Sequence, residues 1–353
     1  MTQTNRLLDL LGIDLPILQA PMAGVATPQM AAEVSGAGGL GALGLGASNA
    51  ALARNSIKQL QQLTSKPFNI NFFCHADPIR DPAIEAAWIA RAAPLFERFA
   101  SKLPRKLDQI YDSFRHGDAM LNLVLEVRPT VVSFHFGLPR PDQMRRLRDA
   151  GVVTMASATS ESEAIAVQDA GCHAVIAQGW EAGGHRGIFD PDAADAQLTT
   201  YKLLPQIVRA VDLPVVAAGG VMTGQDIAQA IGLGAAGAQL GTAFIGCPES
   251  AADDAYRDRL ALGGETVMTA AISGRPARCL GNAMTEWAAN APADTIPAYP
   301  CAYDLAKAMT QAARTQGATA YAAQWAGSAV DQARVMPAAQ LVETLAAELA
   351  AAL

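Results

Sequence analysis

Eight short, nearly unbroken apolar runs punctuate the first 245 residues, at 15–22, 40–46, 67–73, 130–137, 152–159, 174–179, 214–220 and 237–245. A strand with one wet face alternates apolar and polar residues; a continuous apolar run of this length describes a strand buried on both faces. Between most runs lie segments with apolar residues three and four apart, clearest at 142–150, 160–170, 201–211 and 223–233. Gly36, Gly151, Gly171 and Gly234 close several helical segments, where the residue after a helix must adopt positive φ. Doubly buried strands alternating with helices form a parallel sheet with helices outside it. Eight such units close a (β/α)8 barrel, and an open doubly wound sheet is the competing architecture. The barrel is favoured because polar and glycine residues end many of the runs, not one switch point.

Two stretches break the alternation. About 55 residues separate the third and fourth runs. They carry Trp88, Phe96, Phe99, Tyr111 and Phe114 at roughly helical intervals, which predicts an inserted helical pair over about 75–129. After residue 245, one helix would complete a barrel, yet about 108 residues remain. Residues 246–298 are rich in Pro, Gly and Asn and read as a loop-rich lid or substrate subdomain. Residues 299–353 read as C-terminal helices, at 302–313, 329–333 and 338–351, that complete the barrel and the active site. The division expected is therefore 1–245 for the barrel with its insertion, then 246–298, then 299–353.

Composition narrows the function. With 51% hydrophobic and 17% charged residues the chain can bury a large core, which excludes a disordered protein. A formal net charge of −7 argues against a nucleic-acid partner, whose phosphates call for Lys and Arg. No apolar run is long enough to span a bilayer, and the first residues do not read as a secretory signal. Cys74, Cys172, Cys247, Cys279 and Cys301 are odd in number, widely spaced and free of CxxC. They suggest no disulfide framework and no thiolate metal site. A reduced, cytoplasmic enzyme with no membrane partner is the expectation.

In a barrel the active site lies at the C-terminal ends of the strands. The residues there are Gln19 and Met22, Gly44 and Gly46, Asn71 with His75 beyond it, His135, Ser157 and Thr159, Gln178, Gly219 and Gly220, and Gln239 to Thr242. Amides and hydroxyls so placed need partners, and a flat heteroaromatic ring would satisfy them. The endings AAGGV and QLGTAF bring glycine backbone and Thr242 to two adjacent loops suited to a phosphate; the plainer alternative is that the glycines only end tight turns. GWEAGGHRG (179–187) can wrap a ligand or simply be a mobile surface loop. GAGGLGALGLG (36–46) has dinucleotide-like spacing but leads into a strand, the wrong order for that motif. His135, in SFHFG, points to the barrel mouth if its neighbours face outward; it is a candidate base or hydrogen-bond donor, or else a bonded core histidine. His185 is the next candidate, while His75, His116 and His173 are assigned to surface or packing. No HxH, HExxH or acidic cluster suggests a metal. Tyr299, Tyr303 and Lys307 recur every four residues, with Pro300 at a first helical position. They would share one helix face, able to bind an acidic substrate or merely solvated.

In order, QAPMAGVATPQMAAEVSGAGGLG, NINFFCH, VVSFHFGLP, SATSESEA, AQGWEAGGHRG, PVVAAGGV, GAQLGTAFIGCPES, SGRPAR and YAAQWAG resemble the class I nitronate monooxygenases of bacterial type, formerly called 2-nitropropane dioxygenases. The resemblance runs from about Gln19 to Gly327. It implies a (β/α)8 TIM barrel with a smaller substrate-covering subdomain, non-covalent FMN and no metal. It implies oxidation of alkyl nitronates, propionate 3-nitronate foremost, by O2 to an oxo compound and nitrite, with a role in nitroalkane detoxification by a monomer or homodimer. By motif position Met22, Asn71, Gln178, Gly183, Gly220, Gln239, Leu240, Gly241 and Thr242 would hold the flavin and its phosphate. His135 would be catalytic, and His185, Tyr299, Tyr303 and Lys307 would bind the substrate. An NAD(P)H-dependent reductase of quinones or enoyl thioesters on the same barrel is the alternative. The sequence departs from the family pattern at Cys279, expected in a lid loop, and at Ser328, expected near the flavin.

Overall fold

The computed structural model describes residues 2–353. Its strands are β1 (Ile17–Gln19), β2 (Gly41–Gly44), β3 (Phe68–Phe73), β4 (Val131–His135), β5 (Val153–Ala158), β6 (Ala174–Gln178), β7 (Gly184–His185), β8 (Val215–Ala218), β9 (Gly237–Leu240), β10 (Thr266–Thr269) and β11 (Ala277–Leu280). Eight of them, one within each apolar run, form a single parallel sheet in the order β1-β9-β8-β6-β5-β4-β3-β2. A parallel bridge from Leu18 to Leu40 brings the two ends together. The fold is the expected (β/α)8 barrel, and the open sheet is excluded.

Alternation along the strands explains the continuous apolar runs. On β4, Val132 and Phe134 pack outward among the helices, while Val131 lies in the barrel interior. On β6, Val175 and Ala177 face outward and Ala174 and Ile176 inward. Both faces are apolar because both are buried. Helix Gln3–Leu11 fills the bottom of the barrel with Leu7 and Leu11. Helix Ala338–Ala352 packs on helices Gly224–Gly232 and Pro28–Gly36 and completes the outer layer. Gly224 permits that approach, since a Cβ there would lie 2.3 Å from the Leu349 nitrogen.

The seam between β1 and β2 is closed unusually. The Gln19 N–H donates to the Leu40 carbonyl at 2.9 Å. Beyond that point the Gln19 side chain replaces backbone: Oε1 accepts from the Ala42 N–H at 3.0 Å and Nε2 donates to the Ala42 carbonyl at 3.1 Å. Gln19, expected at the ligand, is thus committed to the barrel wall.

A second core covers the mouth. It unites helix Pro82–Arg98, through Trp88 and Phe96, with Ile272, Met284 and helix Cys301–Arg314. Division at 246 and 299 therefore separates residues that share one core. Four expectations need correction here. The insertion contains helices Pro82–Arg98 and Ala119–Val127, but Tyr111 and Phe114 lie in the irregular chain between them. The segment expected to be loop-rich contains helix Asp254–Leu262 and strands β10 and β11, which join β7 in a small antiparallel sheet; short polar strands pairing across distant segments leave no local periodicity. Cys279 sits inside β11, fully buried and bridged to Trp325, not in a loop. Among the closing glycines, Gly36 remains helical and Gly38 carries the positive φ, +93°.

Gln19→Leu would leave both Ala42 backbone groups without partners inside the wall. We expect a loss of about 2–4 kcal/mol, read as a lower denaturation midpoint at an unchanged m-value.

Candidate active site

Every barrel strand contributes to one cavity at the C-terminal mouth, with a volume of about 460 Å³. It lies in the size range of small-molecule sites, roughly 300–1,000 Å³. Met22 follows β1, Gly44 ends β2, Asn71 and Phe73 come from β3, His135 from β4, Ser157 from β5, Gln178 from β6, Gly219 and Gly220 follow β8, and Gln239, Gly241 and Thr242 come from β9 and its loop. The cover adds Tyr111, Tyr256, Tyr299, Tyr303, Lys307 and Trp325. Gly183 and His185 line it from the glycine loop. Leu240 does not: its side chain is buried with Ile17 and Phe244 in the outer core, because the strand period turns it away. Ser328 is exposed and its N–H donates to the Glu181 carbonyl at 3.0 Å, so this departure from the family pattern does not reach the cavity wall.

His135 occupies the last position of β4, on the inner face, two residues after Ser133. Its Nε2 lies 3.1 Å from the His185 carbonyl, which can only accept, so that nitrogen carries the proton. Nδ1 lies 2.8 Å from Ser157 Oγ and, in the neutral ring, accepts from the hydroxyl. The His185 carbonyl therefore selects the tautomer of His135, and the Ser157 hydroxyl, able to donate or accept, complements it from the neighbouring strand. Burial pushes the His135 imidazole down to about 4, so it is neutral at pH 7. His185 is held near 3, by burial first and then by the adjacent His135. Its Nε2 lies 2.9 Å from Ser273 Oγ, which in turn donates to the Arg275 carbonyl at 3.1 Å; Nε2 is thus the donor.

The glycine loop is not a free flap. Its His185 carbonyl also accepts from Gln178 Nε2 at 3.0 Å, and Gln178 Oε1 accepts from the Gly187 N–H at 2.7 Å. The amide of Gln178 thus shapes the loop that faces its own strand. Asn71 similarly donates to the Ser133 carbonyl and Oγ, at 3.1 and 2.9 Å.

Tyr303 and Lys307 lie one turn apart on helix Cys301–Arg314, whereas Tyr299 precedes that helix, before Pro300. The three still converge on the cavity. Lys307 Nζ sits 5.1 Å from the centre of the Tyr111 ring and 5.5 Å from that of Tyr303. Burial raises both phenols to about 12, so they are neutral donors. Tyr299 is 5% exposed, and its hydroxyl has no partner among the described residues.

Several wall residues were outside the expected set. Tyr111 and Trp325 come from irregular chain with no period to place them. His75, assigned to surface or packing, is indeed packed, 1% exposed and edge-on to Tyr299 at 5.0 Å, and does not line the cavity. His116 and His173 do not line the cavity.

Fold and cavity together define a (β/α)8-barrel enzyme whose C-terminal mouth is roofed by a second core. The nitronate monooxygenase family profile matches residues 4–348. A nitronate monooxygenase of Paraburkholderia phytofirmans is 51% identical over 99% of this chain and 96% of its own length. One from Pseudomonas aeruginosa is 47% identical over 98% and 99%. Among solved structures, nitroalkane oxidase of Streptomyces ansochromogenes superposes with a TM-score of 0.87 at 40% identity, covering 98% of each chain. FabK of Thermotoga maritima gives 0.74 at 29% identity, covering 98% of this chain and 96% of its own. The chain belongs to the nitronate monooxygenase family.

The buried imidazoles set an acid limit on the fold. His75 and His135 titrate near 4 and His185 near 3 when folded, against about 6.5 in an unfolded chain. Between those values the unfolded chain binds more protons. Stability is thus full above about pH 6.5 and falls as pH drops toward 4. We expect the melting temperature to decline over that window. His75→Gln should take up one proton fewer on unfolding, making the decline shallower.

Proposed function

We propose that this enzyme oxidises small acidic nitronates, propionate 3-nitronate foremost, with O2 to an oxo compound and nitrite, using non-covalently held FMN. The observation that carries the substrate class is the charge of the cavity wall. Among the described residues it holds one cation, Lys307, four tyrosines and two imidazoles, and no carboxylate. Such a wall favours an anion, and Lys307 with Tyr303 can bind a substrate carboxylate by charge-assisted hydrogen bonds.

The residues fit a flavin. Gln239 Oε1 is buried without a partner, an acceptor left for a ligand N–H. Thr242 Oγ1 accepts from the Gly327 N–H at 2.9 Å and keeps its own proton to donate. Gly219 and Gly220 take φ of +109° and +72°, a turn that other residues adopt only with strain. Met22, Asn71, Gln178, Gly183, Gly220, Gln239, Gly241 and Thr242 would hold the ring and phosphate. When bound, a flavin supplies the redox chemistry between nitronate and dioxygen, which side chains do not provide.

The protein's own part is binding and proton control. A nitronate arrives already deprotonated, so no base is needed, and a neutral His135, held by the His185 carbonyl and Ser157, forms part of the wall against which the anion would lie. With a neutral nitroalkane, His135 would take the proton at Nδ1, displacing the Ser157 hydroxyl. A pKa near 4 makes it a weak base for that purpose, which favours nitronates over nitroalkanes. The proposal takes the enzyme as cytoplasmic, a monomer or homodimer acting on a small anion and O2. Among the described residues no helix is long and apolar enough to cross a membrane.

His135→Asn should lower turnover about 10²-fold or more with the flavin content unchanged, measured by nitrite release. Unaltered turnover would remove His135 from the reaction. Lys307→Met should raise KM for propionate 3-nitronate and spare uncharged-chain nitronates; an equal effect on both would refute the carboxylate contact. The likeness to FabK keeps a reductase reading open to one test. Flavin that bleaches rapidly on anaerobic mixing with NADH would favour the reductase, and flavin that stays oxidised favours the oxygenase.

A further inference from the structure

Arg275 lies between β10 and β11, 3% exposed. Its Nη2 donates to the Ile188 and Phe189 carbonyls, and its Nε has no partner among the described residues. Among the described residues no carboxylate lies within salt-bridge distance of it. The contrast with two other buried arginines is informative. Arg186 is paired with Asp195 at 2.6 Å, and Arg278 spends all three nitrogens on the Trp180 carbonyl and Thr266. A buried charge left without a counter-ion costs several kcal/mol, so its retention calls for a compensating use.

The place of Arg275 suggests that use. Its guanidinium sits 4.4 Å from the centre of the Phe136 ring. Phe136 directly follows His135 and is 1% exposed, with a φ of +69° that is strained for a side chain of this size. Its ring stands 4.6 Å from His135, 5.4 Å from His185 and 5.5 Å from Tyr299. Phe136 thus touches both this unpaired cation and three side chains that line the cavity, while Arg275 itself does not line it.

We propose that Arg275 is a positioning residue for the oxidation, a concealed second cation that acts across the Phe136 ring on the bound anion and on the site's histidines, with no hydrogen bond to them. The inference rests on the nitronate reading above and adds a determinant of its charge selectivity. Lys307 binds at the rim; Arg275 supplies a fixed positive field from behind the wall, where water screens it little. The same field opposes protonation of His75, His135 and His185, adding to burial. The groups facing Arg275 are those three imidazoles and Tyr299, with Glu163, Asp190 and Asp192 more distant. Glu163 is committed to Thr159 and the Phe189 N–H. Around His135 the charged neighbours are Arg275 and Arg186, with His185 in contact.

The test uses flavin-loaded wild type, Arg275→Gln and Arg275→Lys. Two readouts are nitrite-release kinetics with propionate 3-nitronate and ¹⁵N NMR titration of the histidine side chains. In Arg275→Gln, KM should rise about tenfold with kcat changing less, and the His135 and His185 midpoints should move up toward the ordinary value. Arg275→Lys should keep a near-wild-type KM at about pH 6. That KM should then rise with pH as the buried ammonium, depressed by burial, loses its proton. Unchanged KM and histidine midpoints in Arg275→Gln overturn the proposal. So does an Arg275→Lys enzyme as impaired as Arg275→Gln at about pH 6, which would mark Arg275 as a tie for the Ile188 and Phe189 carbonyls only. If Arg275→Gln does not fold, the pH dependence of KM in Arg275→Lys decides, a flat profile counting against it. A wild type that oxidises no nitronate refutes the substrate reading alone, and the NMR titration still decides the role of Arg275.

Discussion

Closure of the barrel is the constraint on which the rest depends. Eight strands buried on both faces can place polar groups only where the sheet ends, so closing the ring gathers the working side chains at one mouth. The weak point of that ring is the short β1, and Gln19 completes it by offering a side-chain amide in place of a peptide. The substitution is chemically exact in kind: one carboxamide donates and accepts as a peptide group would. It also shows why a buried amide at a strand end need not belong to a ligand.

Within the mouth, the carbonyl of His185 is the organising atom. It accepts from His135 and from Gln178, joining β4, β6 and the glycine loop. That joint determines which nitrogen of His135 carries the proton, and Ser157 completes the assignment from β5. The imidazoles are thereby oriented, and burial keeps them neutral, in a cavity whose charge is cationic. A site of this kind handles an anion by complementarity and leaves bond-breaking to a bound redox group. Arg275, packed on Phe136, extends the same logic behind the wall.

The cover is a product of tertiary assembly. Helix Pro82–Arg98 and helix Cys301–Arg314 are separated by some two hundred residues yet share one core. Tyr303 packs on it from the late helix, and Tyr111 from the insertion meets Tyr303 edge-on at 5.9 Å. Sequence periodicity could place Tyr303 and Lys307 on one face because a helix repeats locally. It had no purchase on Tyr111 or Trp325, which reach the site from irregular chain.

The barrel strands, their outward helices, the inner placement of His135 and the convergence of the two glycine endings were legible in the linear chain. Each follows from a local period, from burial on two faces, or from the rule that barrel ligands meet strand ends. The antiparallel sheet of β7, β10 and β11, the commitment of Gln19 to the seam and the tautomer of His135 were decided only by the folded structure. Those features depend on which atoms lie within about 3 Å of one another across long stretches of chain. Chain order carries the period of an element; it does not carry the partner that an individual donor, acceptor or charge will meet.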